Sequence, residues 1–183
     1  MNLSVREMEK SEIELIVDYF FNADSEFLKG MGADIKKLPN REEWTKKLNS
    51  DYEKPYDQKE FYYIIWLING EPTGHSNINN IDFGQSAKMH LHLWKNNNRK
   101  SGLGLNFIKQ TLPFFYKNFK LKTLICEPFS ENIPPNKVLK KAGFKFIKSY
   151  KTIPGFINFS QIVNRYQMTL EESSQIKIDT HFD

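Results

Sequence analysis

The spacing of apolar residues changes abruptly across Asn96-Asn97-Asn98-Arg99-Lys100-Ser101-Gly102. Before it, Glu60–Ile68, Thr73–Ile81 and Ala87–Trp94 read as strands, separated by turn signals at Asn69-Gly70 and near Gly84, which predicts an antiparallel meander. After it, Gly104, Ile108, Leu112, Phe115 and Phe119 recur at helical spacing and predict one amphipathic helix. Pro113 lies inside that helix; it removes a backbone donor and crowds the preceding turn, so a kink or a split is expected. Any fold for this chain must therefore feed a strand into a helix through a glycine-bearing turn.

The flanking segments extend the alternation. Residues 3–9 fit a first strand, and Ser11 with Glu14 has capping-box spacing ahead of Ile13, Ile16, Val17 and Phe20, which predicts a helix near 11–22. The polar stretch 23–59 reads as a helix–loop–helix excursion in which residues 41–48 anchor Trp44 and Leu48. Leu121–Cys126 is expected as a buried strand, Pro134–Ala142 as a short helix, and Phe144–Tyr150 and Asn164–Leu170 as the last strands. A length of 183 residues suits one domain, so the chain reads as a single α+β unit. The tail 171–183 is polar enough to fray.

Composition narrows the function. The lone Cys126 excludes an intramolecular disulfide and every multi-cysteine zinc pattern. The net charge is +4, but only four of the 26 cations are Arg and the Lys residues are scattered, which favours a small anionic ligand at one basic site over nucleic acid. No basic-plus-apolar leader opens the sequence, and the longest apolar run is Phe61–Ile68. A cytoplasmic location with no membrane partner is the resulting expectation.

Arg99-Lys100-Ser101-Gly102-Leu103-Gly104 lies between the predicted strand and helix. Its glycines allow a sharp turn and close backbone approach, and the first turn of the helix offers N–H groups and a dipole to an anion. The letters match neither G-x-x-x-x-G-K-[ST] nor G-x-G-x-x-G, since Phe107 stands at the third glycine. A plain glycine-marked turn would show the same spacing.

A second segment decides the matter: Glu131-Asn132-Ile133-Pro134-Pro135-Asn136-Lys137-Val138-Leu139-Lys140-Lys141-Ala142-Gly143-Phe144. Together the two resemble the GNAT superfamily of N-acetyltransferases. Arg99, Gly102 and Gly104 match its [QR]-x-x-G-x-[GA] pyrophosphate loop, and Asn132, Leu139, Gly143 and Phe144 match its N-x-x-[AS]-x-x-x-[LY]-x-x-x-G-F segment. The resemblance spans nearly the whole chain and implies one such domain over residues 1–170, with 171–183 as the tail. The implied sheet is mostly antiparallel, flanked by helices, and splayed between two parallel central strands near 87–94 and 121–126.

In that resemblance acetyl-CoA is the co-substrate. Leu93 and Trp94 would line the pantetheine arm, Arg99, Lys100, Ser101, Gly102, Leu103 and Gly104 would hold the pyrophosphate, Asn132 would seat the thiol end, and Asn136 is counted with these contacts. Lys137, Lys140 and Lys141 either screen phosphates or form a solvated face. Two departures stand out. Leu139 replaces the family's frequent general-acid Tyr, and Pro135 replaces a small residue. Leu139 in its run is closer to the branch that acetylates ribosomal-protein N-termini and related small amines.

The implied activity is direct acetyl transfer to a primary amine, of a small molecule or a protein N-terminus; the alternative is a GNAT-like sensor that holds CoA without turnover. The expected oligomeric state is monomer or homodimer. An amine must shed a proton before it attacks, and a group titrating near 7 suits that work. His90 and His92 fall on one face of their strand with Lys88 and Trp94, opposite Met89, Leu91 and Leu93. His92, nearer the loop, is the first candidate base, then His90, with Glu127 in reserve and His75 as a neighbour. Structural histidines would look the same by alternation. A zinc site is not expected from this spacing. Phe27, Trp44, Tyr52, Tyr56, Phe156 and Phe159, in 23–59 and 152–163, are expected to wall the acceptor side.

Overall fold

The computed structural model describes residues 1–94 and 102–176. The sheet has the order β1-β2-β3-β4-β5-β7-β6, with β1 Leu3–Glu7, β2 Tyr62–Ile68, β3 Glu71–Asp82, β4 Ser86–Leu93, β5 Thr123–Cys126, β6 Lys145–Thr152 and β7 Gln161–Thr169. Every neighbouring pair is antiparallel except β4 and β5, which run parallel. That pairing ends at Lys88↔Ile125, while β4 continues to Leu93. The sheet is thus joined at the base of β4 and splayed beyond it, as the resemblance implies.

Alternation assigns the two faces. Ile64, Trp66, Ile78 and Met89 share a buried cluster with Phe107, Ile108, Phe115 and Phe119 of α4, Leu103–Phe119. Trp66 fixes this layer: its ring stacks on Phe107 at 5.0 Å and its Nε1–H donates to Thr111 Oγ1 at 3.0 Å. Phe107 occupies the third-glycine position because this turn must pack an aromatic ring. α4 runs unbroken through Pro113, so no split occurs. Tertiary packing of the apolar stripe outweighs the lost donor.

On the opposite face, Tyr63, Ile65 and Leu67 meet Ile16, Val17 and Phe20 of α1, Ile13–Phe21, together with Trp44 and Leu48 of α3, Arg41–Tyr52. The helix expected from Ser11 begins later, at Ile13, after a 3-10 turn over Lys10–Glu12. Glu12 sets that start. Its buried carboxylate takes Arg6 at 2.7 and 2.9 Å and the Glu9 N–H at 2.8 Å.

The excursion carries α2, Ser25–Gly30, and is tied to the segment before β7. Ala33 bridges Asn158, Asp34 N–H donates to Ile157 O at 2.8 Å, and Gln161 Nε2 reaches Gly32 O at 2.8 Å. These bonds start β7 at Gln161, earlier than Asn164. After β5 come α5, Ile133–Lys141, and β6. The start of the tail is a short helix, α6, Leu170–Ser174. Thr169 and Glu172 cap it reciprocally. No described helix is long and apolar enough to cross a membrane.

Candidate active site

A cleft opens beside β3 and β4 on the face that carries α1 and α3, and it penetrates the splay: it touches His90 and His92 from one face of β4, Met89 and Leu91 from the other, and Leu139 on α5. Because β4 and β5 part after Lys88, a slender ligand arm can pass between them. At the far end of β4 the chain re-enters helix at Gly102, which holds φ +80°, a left-handed conformation that strains any residue with a Cβ. Among the described residues no side chain caps the helix there, and a helix start of this kind offers first-turn N–H groups to an anion. Among the described residues a Cβ on Gly104 would meet only Val138 Cγ2, at the ordinary contact distance of 3.8 Å. Leu103, between them, is buried in the core. Arg99, Lys100 and Ser101 lie outside the described residues.

The candidate bases meet different fates. His92 stacks on His75 with ring centroids 4.6 Å apart, and its Nδ1 is 3.4 Å from the Tyr19 hydroxyl. That hydroxyl gives its proton to Met31 Sδ at 3.3 Å. With Nδ1–H donating to that hydroxyl, His92 carries its lone pair on Nε2, the state a base needs. His90 Nε2 is 3.1 Å from Asn79 Oδ1; a carbonyl oxygen only accepts, so His90 holds its proton at Nε2. Burial, then the Lys88 charge, push its pKa down to about 4. His90 is thus neutral at pH 7 and a weak base.

Glu127 is committed elsewhere. Its side chain is 3% exposed, with Lys88 Nζ 2.8 Å from Oε2 and Arg165 3.4 Å from Oε1, and it accepts from the Tyr150 hydroxyl. The Lys88 contact has the distance of an ion pair but lies off the line a hydrogen bond prefers. Burial lifts the carboxyl pKa, yet Lys88, Tyr150 and Arg165 outweigh it and hold the group below the usual carboxylate range. A carboxylate so stabilised gives little driving force for taking a proton.

His75 is the residue that sequence reasoning left at the margin. It is 1% exposed and its Nδ1 accepts from Trp94 Nε1–H at 2.8 Å, so the neutral ring carries its proton on Nε2. Burial, then the nearby His92 and His90, lower its pKa well below the usual value. Nε2 is buried without a partner among the described residues, a state that costs about 1–3 kcal/mol. Trp94 thereby turns its polar atom to His75, while its backbone N–H bonds Thr73 O at 3.0 Å; Leu93 pairs with Gly74 across the β3–β4 ladder.

On α5, Asn132 reaches the cleft and forms no side-chain cap to the helix. Asn136 does not share that role. Its Nδ2 serves Phe129 O and Asn132 O at 2.9 and 2.8 Å, and its Oδ1 takes Asn164 Nδ2 and the Tyr166 hydroxyl at 2.8 and 3.1 Å. All four capacities are filled, so this amide fastens α5 to β7 and has nothing left for a cofactor. Lys137, Lys140 and Lys141 are exposed, as either a solvated face or a phosphate screen would be. Cys126 is buried, and burial raises its pKa well above the usual thiol value. No three His, Cys, Asp or Glu side chains converge as metal ligands among the described residues.

Of the aromatics expected on the acceptor side, two line the cleft. Trp44 and Phe156 line the cleft and contact each other at 6.2 Å. Phe27 and Phe159 stand one layer back, against Tyr19 and Phe129. Tyr52 and Tyr56 belong to a separate cavity beside β1 and β2, because α3 runs past Leu48 to Tyr52 and carries them away from β4.

Comparison with known proteins agrees with this geometry. A family model described as an acetyltransferase (GNAT) domain matches residues 2–145. No curated protein sequence matches the chain. Among solved structures, spermidine N-acetyltransferase from Vibrio cholerae, in complex with CoA and spermine, superposes with a TM-score of 0.76 at 15% identity, over 95% of this chain and 99% of that one. RimL, a ribosomal L7/L12 alpha-N-protein acetyltransferase in complex with CoA, gives 0.75 at 13%, over 94% and 96%. The aminoglycoside acetyltransferase AAC(6')-Ib, with coenzyme A and kanamycin, gives 0.71 at 14%, over 95% and 98%. At such identities the likeness is one of fold.

Proposed function

The chain belongs to the acetyltransferase (GNAT) family, and from that premise we propose that it transfers the acetyl group of acetyl-CoA directly to a primary amine, of a small molecule or at a protein N-terminus. The observation that carries this reading is the cleft through the β4–β5 splay with His92 on its floor. Acetyl-CoA supplies an activated acyl group with a thiol as leaving group. In the transfer, the amine nitrogen forms a bond to the acyl carbon, the carbon–sulfur bond breaks, and the proton leaves the nitrogen.

This chain's part is to hold the partners and manage that proton. His92 Nε2 takes it, directly or through one water, while Tyr19 fixes the ring and its tautomer. Gly102, Leu103 and Gly104 are assigned to the pyrophosphate, joined by Arg99, Lys100 and Ser101. Asn132 is assigned to the thiol end. Leu139 has no hydroxyl and is 1% exposed, so the departing thiolate is protonated by solvent or by the imidazolium of His92. Relatives of this fold act on spermidine, aminoglycosides and a ribosomal protein, all through amino groups, which supports an amine acceptor here. The test is acceptor-dependent release of CoA thiol from acetyl-CoA across a panel of amines. Release above the hydrolytic background with at least one amine is expected; background release with every amine would contradict the reading.

A further inference from the structure

The proposal of amine acetylation leaves the acceptor open, and the charge inventory of the cleft narrows it. Among the described residues that line it, Glu127 is the one acidic side chain, and no Lys or Arg is among them. Glu127 is neutralised by Lys88 and Arg165. A polycation entering here would surrender the hydration of each ammonium with no carboxylate to replace it. The acceptor-side wall is instead aromatic, with Phe20, Trp44, Phe61, Tyr63 and Phe156.

One buried neutral donor in this lining lacks a partner among the described residues. His75 lines the cleft, is held by Trp94 in the tautomer with its proton on Nε2, and Nε2 has no partner among the described residues. Its ring lies against His92. A group bonded to Nε2–H is therefore held next to the base. Asn77, two residues along β3 and 7% exposed, adds a second neutral polar group to the same lining.

We propose that the acceptor is a monoamine with an apolar or aromatic flank and a neutral oxygen close to the amine, as at the N-terminus of a peptide with an apolar first residue, and that His75 donates to that oxygen. This rests on the acetyltransferase reading and deepens it. His75 acts as a positioning and specificity residue, without touching the transferred proton.

The test compares kcat/KM for phenylalaninamide, phenethylamine, spermidine and kanamycin with the full chain, then repeats the first two with His75→Phe. The expected result is phenylalaninamide ahead of both polycations by about tenfold or more, and a preference for phenylalaninamide over phenethylamine that shrinks by about tenfold in His75→Phe, the scale of one lost hydrogen bond. The mutant cycle cancels the different basicities of the two monoamines. Spermidine or kanamycin ahead of phenylalaninamide overturns the acceptor class alone; an unchanged preference in a folded His75→Phe overturns the role of His75. Should that variant fail to fold, the wild-type ranking still decides the class. No release with any of the four while another amine of the panel releases CoA thiol overturns this acceptor class alone; background release across the whole panel overturns the acetyltransferase reading as well.

Discussion

On the β3 side of the cleft, His75, His92, Tyr19 and Trp94 are held by ring contacts and neutral hydrogen bonds; on the β5 side, Glu127 is gripped by Lys88, Arg165 and Tyr150. Both ends offered a candidate base, and they differ in what a proton would meet there. The neutral rings can gain or lose a proton without breaking an ion pair. The carboxylate has its charge fixed by two cations, so protonating it would strand them. The proposed chemistry sits at the first end, and the second is built as architecture.

The largest effect that would break this division is expected at His92. His92→Ala should lower kcat by on the order of 10²-fold, the scale of a lost general base, with CoA affinity nearly unchanged by titration calorimetry. Near-normal kcat would move the base elsewhere. Glu127→Gln should do the reverse: a stability loss of about 2 kcal/mol in urea denaturation, less than for a fully buried pair because Lys88 and Arg165 are 25% and 27% exposed. Its kcat should fall far less than that of His92→Ala.

Acid sharpens the contrast from the histidine side. His90 titrates at about 4 in the folded protein against about 6.5 unfolded, and His75 shifts in the same direction. The unfolded chain then binds protons that the folded one refuses, so stability is full above about 6.5 and declines as pH falls toward about 4. The urea midpoint should drop between pH 7 and pH 5 in wild type and drop less in His90→Asn. Equal drops would remove His90 from this account. Smallest of all, Tyr52→Ala should leave kcat/KM within about twofold, since Tyr52 lines the other cavity; surface changes remote from a site seldom do more.

Much of this was legible before any coordinates. The meander followed from period-two runs and Asn69-Gly70, and the facing of His90 and His92 followed from alternation, which survives because Met89 must reach the α4 core. The parallel pair and the splay came from the two motif segments. What stayed hidden depends on partners distant in sequence. Nothing near Glu127 announces that Lys88, Tyr150 and Arg165 converge on it from three strands. The saturated amide of Asn136 depends on β7, and Glu12 displaces the capping role of Ser11 only because Arg6 lies alongside. His75 carries no motif at all; its buried donor appears only once Trp94 is seen to occupy Nδ1.

The central claim, that His92 manages the proton while Glu127 holds the frame, is tested most directly by the pH dependence of kcat at saturating acetyl-CoA and acceptor. The profiles needed are those of wild type, His92→Gln and Glu127→Gln. The account predicts that the ascending limb of the wild-type profile disappears or shifts in His92→Gln and keeps its midpoint in Glu127→Gln. A limb that persists in His92→Gln and moves in Glu127→Gln would contradict it.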